Sequence, residues 1–177
     1  MKHFGIFIWA LALMAFTSCN LNDSKADGHS PRLGGASVSE SVDPFVAFAE
    51  HFSETASFAY ADVGGHRVLL VSQETFGNDA SDSKEAIEAT VFVLDSVGKI
   101  ITLGSVRSQG TLYPVSLLDG RLMVAGHHFV RIYSIRGEGP ELVLDSFQEG
   151  DGPELAEMYR TFEKGTSIKF KKNRKEL

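Results

Sequence analysis

Hydrophobic positions between residues 56 and 147 fall into short runs separated by turn residues, a pattern of strands rather than helices. Eight strands are predicted, over residues 58–62, 67–73, 89–95, 100–106, 113–117, 121–125, 129–135 and 142–147. Turn signals divide them: Val63-Gly64-Gly65, Ser96-Val97-Gly98, Asp119-Gly120 and Gly137-Glu138-Gly139-Pro140. Asp119-Gly120, between two apolar segments, is the strongest hairpin signal, because a tight type I′ turn needs positive φ at both central residues. The runs VLLV at 68–71 and VFVL at 91–94 are apolar at every position, which predicts strands covered on both faces.

The period changes at both ends of this region. Phe45, Phe48, Ala49 and Phe52 lie at i, i+3, i+4 and i+7, one face of a short helix over 43–52. Asp43 suits its N-cap and Pro44 its first position. Leu155, Met158, Tyr159 and Phe162 repeat the spacing in a second helix over 151–164, which Lys164 and Gly165 end. Residues 167–171 then alternate as a half-exposed strand. These elements predict an α+β domain: one mainly antiparallel, meandering sheet of about eight to nine strands, with a short helix near each end packed on it.

A short unit recurs in ADVGGHRVLLV, LDSVGKIITL and LLDGRLMVA: an Asp, a Gly or two, then an apolar strand. Its spacing is uneven, and the chain is short for a β-propeller, which takes at least four blades at about 40–50 residues each. Chained hairpins in one sheet account for the pattern.

The N-terminus has a different character. After Met1, Lys2 and His3, residues 4–16 (FGIFIWALALMAF) are uncharged and apolar. That run is too short for a hydrocarbon core that takes roughly 20 residues to span, and suits a cleaved export signal. Phe16, Thr17, Ser18 and Cys19 follow, and this segment resembles the lipobox of bacterial lipoproteins. The resemblance implies a signal peptide over 1–18 and diacylation of Cys19, the sole cysteine, as the mature N-terminus. It implies an exported protein held by lipid in the bacterial cell envelope, and two acyl chains anchor durably. Residues 19–41 are rich in Ser, Gly, Asp and Asn and read as the lipidated Cys19 and a flexible tether spanning roughly 25 Å. Residues 42–177 are the single globular domain.

The net charge is −6, and −7 once Lys2 is removed with the signal, which argues against nucleic acid as a partner. With Cys19 acylated, no disulfide, thiolate ligand or cysteine nucleophile is left. The chain holds no P-loop, G-x-G-x-x-G, H-E-x-x-H or G-x-S-x-G sequence.

Four candidate sites follow. His127 and His128 are the metal or ligand candidates, although neighbours on an extended chain face opposite ways and one ion is rarely held by both. His66 sits in a turn. The loop 77–88 gathers Asn78, Asp79, Asp82, Glu85 and Glu88, oxygen ligands of the type calcium takes. Counted from Asp79, however, Lys84 and Thr90 occupy the EF-hand's sixth and twelfth positions. Calcium at this loop is the one cofactor candidate. In the loop after residue 104, Arg107, Ser108, Gln109, Thr111 and Tyr113 form a polar set suited to a carbohydrate or peptide. The tail carries Lys169, Lys171, Lys172, Arg174 and Lys175, a patch suited to anionic head groups.

The segments FAYADVGGHRVLLVS, AxVFVLD, LGSVRSQGTLYPV and AGHHFVRIYSI look like domains of uncharacterised bacterial lipoproteins. Related domains often carry D-x-D-G-D-G in the first turn, where this chain has Asp62-Val63-Gly64-Gly65-His66. The combined reading is a non-enzymatic binding or interaction domain. Its partners are the membrane, through the N-terminal lipid, and an envelope protein or glycan. The alternative is a small cell-wall or glycan-acting hydrolase, with or without a metal, which requires a pocket where His127 or His128 meets an Asp or Glu.

Overall fold

The computed structural model describes residues 43–78 and 80–172. The expected signal peptide, Cys19 and the expected tether, with Asp79, Arg174 and Lys175, lie outside them. The described chain is mostly antiparallel β. Its strands are β1 (Ser57–Val63), β2 (His66–Ser72), β3 (Ser83–Lys84), β4 (Glu88–Leu94), β5 (Ile100–Arg107), β6 (Ser116–Leu118), β7 (Arg121–Gly126), β8 (Phe129–Arg136), β9 (Glu141–Glu149), β10 (Thr166–Ser167) and β11 (Phe170–Lys171). The helices are α1 (Pro44–Ala49) and α2 (Pro153–Glu163). Neither is long and apolar enough to cross a membrane.

The one sheet that the sequence predicts is two. A six-stranded sheet runs β3-β11-β1-β2-β4-β5, and a five-stranded sheet runs β10-β6-β7-β8-β9. Each contains a four-stranded antiparallel meander with its strands in chain order, β1-β2-β4-β5 and β6-β7-β8-β9. The two meanders share a detail. An extra residue on the fourth strand, Leu103 in β5 and Asp145 in β9, shifts the register against the third.

The fully apolar strands explain the layering. Val68, Leu70, Val91 and Val93 point from the six-stranded sheet into a central core that they share with Leu122, Val124 and Ile135 of the other. Leu69, Val71 and Phe92 point the opposite way and pack against Phe45 and Ala49 of α1, with Phe48 and Phe52 alongside. Met123, Ala125, Val130 and Ile132 face outward from the five-stranded sheet onto Leu155 and Phe162 of α2. The order of layers is α1, six-stranded sheet, five-stranded sheet, α2.

The recurring turns belong to different sheets and touch. Gly64, in the β1–β2 turn, donates its N–H to the Gly120 carbonyl in the β6–β7 turn at 2.9 Å. Asp119 and Gly120 have φ of 49° and 67°, the left-handed pair that the Asp-Gly signal predicts. Gly64 has φ of 61°, and a Cβ there would run into the Ile135 carbonyl oxygen.

Three other predicted elements are revised. The first helix ends at Ala49 because its last N–H groups turn to tighter i→i−3 partners, His51 to Phe48 and Phe52 to Ala49. The strand predicted at 113–117 begins only at Ser116; Tyr113 closes a turn onto the Gly110 carbonyl, and Val115 bonds to Ala86. The strand predicted at 167–171 splits in two. Thr166 and Ser167 pair with β6 in one sheet, while Phe170 and Lys171 pair with β3, and Lys171 with β1, in the other. Between them, Ile168 is buried and donates its N–H to Val115 at 2.9 Å.

Candidate functional site

The polar loop after β5 is the crossover between the sheets, not a hairpin. Ser108 donates its N–H to Ile87 at 2.7 Å, and its Oγ accepts the Ala125 N–H at 3.2 Å. Gln109 donates to the Ala125 carbonyl at 2.8 Å. Val115 donates to Ala86 at 2.8 Å. These bonds tie residues 108–115 to β7 of the five-stranded sheet and to the β3–β4 connection beside the six-stranded one, and so position the crossover.

Gln109, Tyr113 and His127 come together around Gly126. A Cβ at Gly126 would meet Gln109 Cβ at 2.8 Å, so only glycine lets the crossover lie this close. The Tyr113 ring meets His127 edge-on, with centroids 5.8 Å apart, and packs on Tyr159 at 5.9 Å and Phe162 at 6.1 Å. The Tyr159 hydroxyl donates to the Gly126 carbonyl. Burial holds the Tyr159 pKa above its ordinary value, and the neighbouring Tyr113 adds to the shift, so the phenol stays a neutral donor.

Beside these rings lies a groove of about 340 Å³. Ligand sites run from roughly 300 Å³ upward, so this one suits a small ligand. Leu112 forms an outer rim and is 78% exposed. Tyr113, Tyr159 and Phe162 form the aromatic side, and Glu163 and Ser167 stand among the polar groups. Tyr159, Phe162 and Glu163 were legible only as the end of an amphipathic helix. Their role depends on where the helix's last turn meets the crossover, which periodicity does not encode.

Arg107 and His128 stand apart from the groove. Arg107 pairs with Glu88 at 3.1 Å beside a smaller polar cavity of about 200 Å³ that Gln73 and Glu74 also line. His127 and His128 form the two-residue β7–β8 turn and diverge, one to Tyr113 and the other to Asp151. The His128–Asp151 contact is 2.8 Å, with the side chains 68% and 84% exposed.

In the loop 77–88, Glu85 accepts from Ser167 Oγ at 2.6 Å and from Lys169. Those bonds, the lysine's first, hold the Glu85 carboxyl below its ordinary value against a smaller opposing effect of burial. Asn78 caps the Ala80 N–H at 2.9 Å. Glu85 and Glu88 of this loop are therefore engaged by cations of the protein, Lys169 and Arg107. Among the described residues no group of three or more His, Cys, Asp or Glu side chains is placed to hold a metal ion. Of the basic tail, Lys169 serves Glu85 and Lys171 lies in β11.

The chain matches no protein-family model, no curated protein sequence and no solved structure.

Proposed function

We propose that this is a lipid-anchored protein of the bacterial envelope whose β domain binds a ligand in the groove beside Tyr113, without turning it over. The aromatic side of that groove carries the reading. Three rings meet there, Tyr113 from the hydrogen-bonded crossover and Tyr159 and Phe162 from α2, beside an exposed leucine rim. A rigid scaffold that presents apolar surface next to polar groups is the ordinary composition of a binding site. The anchor rests on Cys19 and the residues before it.

The test is photo-crosslinking in the native envelope, with a benzophenone amino acid in place of Leu112. The same group in place of Val97, which is 83% exposed on the β4–β5 turn, is the control. A distinct adduct from position 112 alone supports the groove; equal or absent adducts at both positions overturn it. Replacing Cys19→Ala should release the protein from the membrane fraction, and undiminished retention would reject the anchor.

The hydrolase alternative has one geometric support, the contact of His128 with a carboxylate. It requires that His128→Ala abolish turnover of wall or glycan substrates by the full chain.

A further inference from the structure

We infer that the groove takes a neutral, pyranose-type glycan; the inference rests on the binding reading above. The argument starts from the rings. A pyranose offers one flat face of C–H groups, which suits the electron-rich face of an aromatic ring, and a rim of hydroxyls. Tyr113 and Tyr159 are half-buried, so each keeps exposed surface beside the groove, while Phe162 lies beneath them, 8% exposed. The phenol of Tyr159 is already bonded to Gly126, which fixes that ring's orientation before any ligand arrives.

The carboxylate decides the charge of the ligand. Glu163 lines the groove, is exposed, and makes no hydrogen bond or ion pair among the described residues. A carboxylate accepts two hydroxyl hydrogens in short, charge-assisted bonds, a good match for a sugar diol. It also repels an acidic ligand, and among the described residues neither lysine nor arginine lines the groove to offset it.

A cationic ligand is the obvious competitor, since aromatic rings and a carboxylate also attract ammonium groups. The ring packing argues against it. Centroids at 5.9 and 6.1 Å put Tyr113 in direct contact with Tyr159 and Phe162. Rings that touch leave no space for an ammonium to be surrounded, whereas they present a continuous surface to a flat ligand.

The experiment is saturation-transfer NMR on the full chain in detergent micelles. The probes are maltose, cellobiose and N,N′-diacetylchitobiose, with a lysine tripeptide as the cationic competitor. The expected result is transfer to the ring protons of at least one disaccharide. Tyr113→Ala should weaken that binding at least tenfold and Glu163→Gln at least threefold, while Tyr113→Phe, which keeps the ring, should hold it within about threefold. Circular dichroism and melting curves check that each variant is folded. No binding by any disaccharide, or binding indifferent to Tyr113→Ala and Glu163→Gln, overturns the inference. Binding of the lysine tripeptide alone, sensitive to both substitutions, overturns the glycan class and leaves the groove intact as a site. A failed Leu112 crosslink removes the site itself.

Discussion

Replacing Gly64→Ala tests the contact that joins the two meanders. Gly64 has φ of 61°, a left-handed conformation costing an L-residue about 1–2 kcal/mol. Its new Cβ would also meet the Ile135 carbonyl oxygen and would stand 3.4 Å from Ile135 C and N, so backbone must move. Forced shifts of this type cost about 1–3 kcal/mol. The two together give about 2–5 kcal/mol, a large part of the roughly 5–15 kcal/mol that holds an ordinary domain folded. Gly65→Ala supplies the control in the same turn. Its φ is 80°, but open space surrounds the position, so only the conformational cost applies, about 1–2 kcal/mol. Urea denaturation of the full chain, followed by circular dichroism at matched detergent concentration, should show Gly64→Ala the less stable by about 1–3 kcal/mol with an unchanged denaturant slope. Equal losses in the two variants would show that the close approach of the two sheets at Gly64 contributes nothing to stability, and would refute the reasoning.

Three further outcomes follow from individual side chains. Tyr60 is held near pKa about 12, chiefly by burial and then by Asp43, which accepts its hydroxyl. A raised folded-state pKa stabilises the fold fully below the ordinary value of 10.0 and is lost as pH rises through about 12. Absorbance titration, with Tyr60→Phe as reference, should find that late ionisation moved lower by Asp43→Asn; a Tyr60 that ionises near 10 in the unaltered chain would contradict it. Glu85 has the opposite sign, its pKa lowered from 4.5, so its contribution is full above that value and fades as pH falls through the lower folded one. With the two side chains 27% and 55% exposed, solvent limits the pair to about 1 kcal/mol. Lys169→Gln should therefore lose about that much at pH 7, and acid should narrow the gap between the variant and the unaltered chain; a gap independent of pH would argue that the lysine acts only by packing. Phe45 is 1% exposed between α1 and the sheet, so Phe45→Ala should cost about 3–5 kcal/mol in a melting experiment, and a cost below about 1 would mean that the helix is dispensable.

The sequence made the strands legible because their signals are local. Continuous apolar runs mark strands buried on both faces, and Val68–Val71 and Val91–Leu94 divide between two cores as that pattern requires. Asp-Gly and Gly-Gly pairs mark turns because few other residues accept positive φ. The division into two sheets was not legible, since hairpins chained in one sheet or in two have the same local pattern. β3 gave no signal: Ser83 and Lys84 are polar and are held by a strand far along the chain. The candidate site was half legible. Gln109, Tyr113 and His127 stood out as polar or aromatic residues in loops and turns, and they meet at Gly126. Arg107 and His128 stood out for the same reason but point elsewhere, because side-chain direction at a strand end depends on partners such as Glu88 and Asp151.

The split ending of the β structure has a consequence for the order in which the chain folds. The first strand of the six-stranded sheet is flanked by the last, Phe58 opposite Lys171, so this edge closes only after nearly the whole domain has been made. Contacts so distant in sequence carry a high loop-closure entropy and slow folding. The β6–β9 meander and its helix, by contrast, are contiguous in the chain and need only β10 for their edge. A nascent chain would thus keep its N-terminal strands incompletely flanked until synthesis is almost complete. On the export proposed above, late closure of this kind would lengthen the interval in which the chain is still open enough to be translocated.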